Sequence, residues 1–310
     1  STLQNKEAQK KAVFHSSSAV FVAIYNKENQ IDTEVSLLNH FVLKRGITDV
    51  VATIELRGLD GDLIKNFKIN VDQERAYSVR ISDHLSSNFL GSIYLFFQSN
   101  ENLAVPFCAV MCSIKSLNSV CGLHAYGRRL EQKELGGNLD IQNTIETGWT
   151  VRDTEMVKSF AVLHGGQFKL KLSIRIEVAN SRNESISIKK DFTLNPFGTL
   201  LLFPQDLTGK LTDHLEGKKG HAKIFIQGLR GVFPRMLCGN FSFSENGKKQ
   251  FLDADEIQFT HTNFDFSSIG QPEAGGDYGY INQPSLPGGY GIVYPVSTDK
   301  SISIDNERYV

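Results

Sequence analysis

Tryptophan is almost missing: among 310 residues there is 1, Trp149. A sugar platform built from several stacked indoles is therefore excluded. Charge of one sign is not in excess either, with 33 Lys and Arg against 34 Asp and Glu and a net charge of -1. That balance supplies no electrostatic drive toward phosphate backbones or anionic lipid, so nucleic acid is not an expected partner. No apolar run reaches the roughly 18 residues of a membrane-spanning helix, so no membrane insertion is expected. Ser1 to Lys11 is polar and shows no hydrophobic leader. Cysteine is scarce, 4 in all, and Cys108, Cys112, Cys121 and Cys238 lack CxxC spacing. They read as small buried strand residues, and unpaired thiols lean toward a cytoplasmic, reducing compartment. No Gly-x-Ser-x-Gly elbow, phosphate-binding Gly-Lys loop or His-Glu-x-x-His pair is present, which points away from an enzyme. Gly270 to Gly276 follows no strand-to-helix context, which speaks against a dinucleotide site.

What the chain does have is self-similarity. Asp32-Thr33-Glu34-Val35 recurs as Asp153-Thr154-Glu155-Met156, and Ile54-Glu55-Leu56 as Ile176-Glu177-Val178. Phe67 to Asn70 recurs as Phe192 to Asn195, and Ile81-Ser82-Asp83-His84-Leu85 as Leu211-Thr212-Asp213-His214-Leu215. Gly91 is answered by Gly220 and Pro106 by Pro234. The matches stay in order and their separations drift slowly, as in a duplicated unit with small loop insertions. The units are expected at residues 16–131 and 149–268, with a polar linker over 132–148 and a Gly/Tyr/Pro-rich tail over 269–310 that holds a strand near Gly291 to Val296.

Within each copy the apolar residues alternate. Val50, Ala52, Ile54 and Leu56 oppose Thr53, Glu55 and Arg57; Leu170, Leu172, Ile174, Ile176 and Val178 oppose Lys171, Ser173, Arg175 and Glu177. Period two marks half-buried antiparallel strands. Ile93, Leu95 and Phe97 repeat the pattern, as do Ala222, Ile224 and Ile226. Leu59-Asp60-Gly61-Asp62 and Asn180-Ser181-Arg182-Asn183 read as equivalent hairpin turns. Ser82 and Thr212 are expected to cap single helical turns. The fold class that follows is all-β: two tandem antiparallel β-sandwich domains related by internal duplication. From Val51 through Asp60-Gly61, Ile64 to Val71, Asp83 to Leu85 and Gly91 to Gln98, the order of elements resembles the immunoglobulin-like or fibronectin-type modules common in bacterial proteins. The resemblance is architectural, covers about 60 residues of each copy and brings no catalytic residues with it. The Cys–Trp–Cys core of antibody domains is missing.

Candidate site residues follow from the repeat. His124 and His261 end corresponding strands, and a pseudo-twofold axis would let them face each other. With Tyr126, Asn263 and Asp265 they could hold a ligand, and His124, His261 and Asp265 a divalent metal; Arg128 follows in the same segment. Their bland alternative is a strand-end hydrogen bond. Tyr278, Tyr280 and Tyr290, on a Gly-rich background, offer rigid amphipathic area for a protein or glycan, or pack across an interdomain groove. The sequence thus favours a non-enzymatic binding or assembly protein presenting sandwich loops to a protein or glycan, without a cofactor. A metal-binding or enzymatic site between the repeats is the alternative, and a structural spacer in a larger assembly a third reading.

Overall fold

A computed structural model describes residues 15–106, 108–117, 119–124, 128–131, 141–231, 236–243, 250–261, 263–264, 278–283 and 292–297. The first nine strands are β1 His15–Tyr25, β2 Asp32–Leu38, β3 Val50–Gly58, β4 Leu63–Val71, β5 Ala76–Arg80, β6 Phe89–Ser99, β7 Val110–Lys115, β8 Val120–His124 and β9 Arg128–Glu131. They form one sheet of order β4-β3-β6-β1-β9 and a second of order β5-β2-β7-β8. The next nine are β10 Gln142–Val151, β11 Val157–His164, β12 Leu170–Ala179, β13 Ser185–Leu194, β14 Thr199–Leu202, β15 Gly220–Leu229, β16 Leu237–Ser242, β17 Glu256–His261 and β18 Asn263–Phe264. Their sheets run β13-β12-β15-β10-β18 and β14-β11-β16-β17. Adding nine to every strand number of the first unit reproduces the second. All the pairings are antiparallel, and the fold is all-β.

Register repeats along with order. Ile54 pairs Leu95 in the first unit, and Ile176 pairs Ile224 in the second. Val35 pairs Cys112, and Ala161 pairs Cys238. The β3–β4 turn closes with Gly58 N donating to Asp62 O, and the β12–β13 turn with Asn180 N donating to Glu184 O. Both turns need a left-handed residue at the same place, supplied by Gly61 at φ 97° and Asn183 at φ 60°. At Gly91 a Cβ would overlap the Arg57 carbonyl, so close strand approach demands glycine there.

Each unit buries the inner faces of its two sheets against one another. In the second, Leu172, Ile174, Ile176, Ile224 and Trp149 meet Ala161, Leu163, Leu202 and Cys238. In the first, Ala52, Ile54, Leu95, Phe97 and Phe21 meet Val35, Leu37, Val110, Cys112 and Leu123. Phe21 and Trp149 pair Ile93 and Ala222 respectively, so each unit buries an aromatic side chain at the same register position. All four cysteines are buried free thiols.

Several local expectations need correction. Ser82 and Thr212 are not helix caps: the turns at Ile81–Asp83 and Leu211–Leu215 have no side-chain cap. Instead Ser82 Oγ donates to Asp32 at 2.6 Å and Thr212 Oγ1 to Asp153 at 2.6 Å, tying each turn to the preceding hairpin. The Phe67–Phe192 match is displaced by four residues, because Ile54 pairs Phe67 whereas Ile176 pairs Ile188. The stretch 132–148 is not wholly linker, since β10 begins at Gln142. The strand expected near Gly291 to Val296 is β20, Ile292–Ser297, and it pairs β19, Tyr278–Gln283. Pro234 lies outside the described residues.

Candidate functional site

The two units meet through faces that are not equivalent. The outer face of β1 and the middle of β6 in the first unit is buried: Ser18, Val20, Val22, Ile24, Ser92 and Tyr94 are each at most 5% exposed, with Leu90 and Phe96 half-buried beside them. It lies toward the second unit's β11, whose counterpart in the first unit is β2, not β1. The outer face of β11, β16 and β17 is buried likewise, through Phe160, Val162, His164, Leu237, Phe241 and Phe259. With both faces covered, β1 and β11 lose the alternation of a half-buried strand and become continuous apolar runs. A twofold axis would require the same face on both sides, so this heterologous contact gives the units no such axis.

One set of register positions carries opposite chemistry in the two units. In the first unit Glu34 accepts from Ser78 Oγ at 2.6 Å, Lys115 Nζ at 2.7 Å and Arg80 Nε at 3.1 Å. Those bonds, Lys115 first, hold the Glu34 carboxyl down at about 2. The register places Phe160 where Glu34 stands and Phe241 where Lys115 stands, and Phe203, just past β14, falls at the place of Arg80. There Phe160 packs on Phe251 at 4.7 Å and Phe259 at 5.2 Å, while Phe203 lies 5.7 Å from Phe241. The face that is charged and solvated in the first unit is therefore aromatic and covered in the second.

Polar contacts fasten this junction. Tyr94 Oη donates toward the Gly165 and Phe197 carbonyls, each at 3.0 Å, and burial pushes its phenol up strongly. Thr199 N donates to Leu59 O at 2.8 Å, and Asn26 and Asn29 Nδ2 donate to the Leu252 and Asp253 carbonyls at 2.8 Å each. Phe259 N donates to Cys121 Sγ at 3.2 Å, and the Arg57 guanidinium lies 4.5 Å from the Phe197 ring centroid. His164 is fully buried in the junction, with Nδ1 2.9 Å from Thr199 Oγ1 and Nε2 without a hydrogen-bond partner. Burial alone drives its pKa down to about 3. His164, Tyr94 and Glu34 were not singled out from sequence; the one available cue was a histidine inside the unbroken apolar run Phe160 to His164.

The sequence-derived candidates fall at the edges of this arrangement. His124 pairs Met111 and His261 pairs Leu237, so the two histidines do hold the same register position. The row containing His124 reads Ser78, Ser36, Met111, His124, and that containing His261 reads Leu201, Val162, Leu237, His261. Arg128 lies on β9, Asn263 on β18, and Tyr278 and Tyr280 on β19, known here by backbone placement. Tyr126, Asp265 and Tyr290, with the side chains of His124 and His261, lie outside the described residues. Among the described residues no group of three His, Cys, Asp or Glu side chains could hold a metal ion. His84 stacks on Phe67 at 3.8 Å, and His214 Nε2 lies 3.0 Å from the Val178 carbonyl; both have local structural contacts.

No family model matches this chain. No curated protein matches it. Among solved structures it is similar to Bacteroides uniformis beta-glucuronidase 2 covalently bound to cyclophellitol-6-carboxylate aziridine, at 9% identity, a TM-score of 0.17, and coverage of 84% of this chain and 27% of that one. A calcium binding mutant of the same enzyme matches at 7% identity and a TM-score of 0.19, covering 81% of this chain and 26% of that one. This chain spans about a quarter of the length of those structures, and likenesses at such TM-scores carry no argument about what it does.

Proposed function

We propose that the chain is a non-enzymatic binding or assembly protein, built from two immunoglobulin-like units copied from one ancestor, that docks a protein partner on the free second sheet of its first unit. One observation carries the reading. The face that the second unit uses to seat the first is open in the first unit, where Met111 is 47% and Val120 67% exposed beside the solvated Glu34 network. Exposed apolar side chains among satisfied charges resemble the mixed composition of a non-obligate interface. His124, which ends the edge strand β8 of that sheet, and Tyr126 and Arg128, which follow it in sequence, would supply polar contacts. His261, Asn263 and Asp265 of the second unit and Tyr278, Tyr280 and Tyr290 of the tail are a separate set of candidates.

The test compares the wild type with a Met111→Asp/Val120→Asp double variant in pull-down and glycan-array experiments, with light scattering to record mass. A protein retained by the wild type and released by the variant supports the reading. Equal retention by both, retention of a glycan instead, or a strict monomer without partners contradicts it.

A divalent metal held by His124, His261 and Asp265 is the second reading, supported by the contact between β8 and β17, the strands that the two histidines end. Elemental analysis of the purified chain decides it: stoichiometric metal lost in a His124→Ala variant supports it, and metal-free protein ends it.

A further inference from the structure

We propose that the junction between the two units is an acid-sensitive latch, in which His164 shuts the contact while neutral and opens it when protonated, without unfolding either unit. His164 shares the outward phase of Phe160 and Val162 on β11, whereas Ala161 and Leu163 point into the second unit's own core. The imidazole therefore faces the first unit rather than its own sandwich. Its surroundings offer nothing to a second N–H. Thr199 Oγ1 is the partner of Nδ1, and Nε2 has no hydrogen-bond partner. The Tyr94 ring stands edge-on at 6.4 Å, and the Tyr94 hydroxyl is directed at the Gly165 and Phe197 carbonyls. The outer face of β1 offers Ser18, Val20, Val22 and Ile24, and the Pro204–Leu207 turn, also packed on β11, carries the exposed Asp206. On β3, Arg57 pairs with Glu55 at 2.6 Å and covers Phe197; on β14 stands Thr199; on β16, Leu237. On β11 itself Lys158 is paired with Asp153 at 3.1 Å.

A charged imidazole here would be desolvated with one donor unmatched, which is costly. Parting the two units brings the ring to water and removes that cost, because the ring lies at the contact and not beneath a sheet. The sign follows from linkage. The closed state holds His164 neutral down to about pH 3, while an open state titrates near 6.5. The closed junction is thus fully favoured above pH 6.5 and weakens as pH falls toward 3. Each pH unit in that window raises the open-to-closed ratio about tenfold.

Hydrogen exchange on the intact chain at pH 7 and pH 5, corrected for the intrinsic rate, tests this. The amides of Thr199 and Phe259, which donate across the junction to Leu59 O and Cys121 Sγ, should lose protection by about 25-fold, while those of Ile174, Ile176 and Ile224 keep theirs. In His164→Gln, which retains a polar group toward Thr199 but does not titrate, the pH effect at the junction should vanish. Unchanged junction protection in the wild type, the same loss in His164→Gln, or an equal loss in the core amides would each overturn the latch. If His164→Gln does not fold, the wild-type imidazole followed by NMR gives the answer: an exchange transition coincident with its titration supports the latch, and titration near 6.5 with the junction closed refutes it.

Discussion

Replacing Phe160 and Glu34 by alanine, one at a time, should have very different costs although the two occupy the same register position in their units. Phe160 is fully buried among Phe241, Phe251 and Phe259, so its removal leaves a cavity between two rigid layers. Truncating a buried phenylalanine costs about 3–5 kcal/mol. Glu34 holds three partners but stands on a solvated face, with Arg80 59% and Lys115 43% exposed. Water can replace its bonds to both cations, so Glu34→Ala should cost about 1–2 kcal/mol. The expected gap is about 2–3 kcal/mol, read by urea unfolding followed through far-UV circular dichroism, which sees both units. Trp149 fluorescence, buried in the second unit's core, should report the Phe160→Ala loss more strongly than the Glu34→Ala loss. Equal losses, or a larger one for Glu34→Ala, would refute the assignment of one face as covered and the other as open.

Tyr94→Phe leaves the Gly165 and Phe197 carbonyls to share a donor that is no longer there, and should lower stability by about 1–3 kcal/mol in denaturant titration; a loss below about 0.5 kcal/mol would contradict the bonds as described. Glu34, held at about 2 against an ordinary 4.5, contributes stability that is complete above pH 4.5 and fades as pH falls through about 2, so Glu34→Gln should flatten the lower part of the acid-stability profile, where His164→Gln flattens the part above pH 3. The thiols of Cys108, Cys112, Cys121 and Cys238 are all buried, and burial raises the pKa of the first three, Cys108 to about 11; a thiol reagent should label none of the four rapidly in the native chain and all four in guanidinium, and fast native labelling would argue against their placement. Gly91→Ala, whose Cβ would overlap the Arg57 carbonyl, should cost about 1–3 kcal/mol in the same unfolding assay.

The strands that could be read from the sequence are those with one wet face. The alternation at Val50 to Leu56 forms β3, and that at Leu170 to Val178 forms β12, both interior strands of a sheet with polar residues pointing outward. The runs Ser17 to Ile24 and Ser159 to His164 carry no alternation because both of their faces are covered, one by their own core and the other by the neighbouring unit. Period two therefore could not mark β1 and β11, the strands that build the junction. The first residues of β10, Gln142 to Thr147, are mostly polar, so composition alone does not separate them from the linker before them. The Asp32–Asp153 match is instructive in another way. Those residues do not hold the same register position, yet each accepts a hydroxyl bond from the corresponding helical turn of its own unit, so the sequence similarity reflects a like local anchor rather than aligned strands. Glu34 and Phe160 differ in every chemical respect, so matching by identity cannot pair them, and only hydrogen-bond register defines their shared position.

Selective labelling of tyrosine, histidine and threonine, followed by nuclear Overhauser measurements on the whole chain at pH 7, tests the stacked, non-equivalent contact most directly. Cross-peaks from the Tyr94 ring to His164 and to the Thr199 methyl group are expected, because β6 of one unit lies over β11 and β14 of the other. A Tyr94 ring with cross-peaks only to residues before 131 would place the two sandwiches apart and contradict the account.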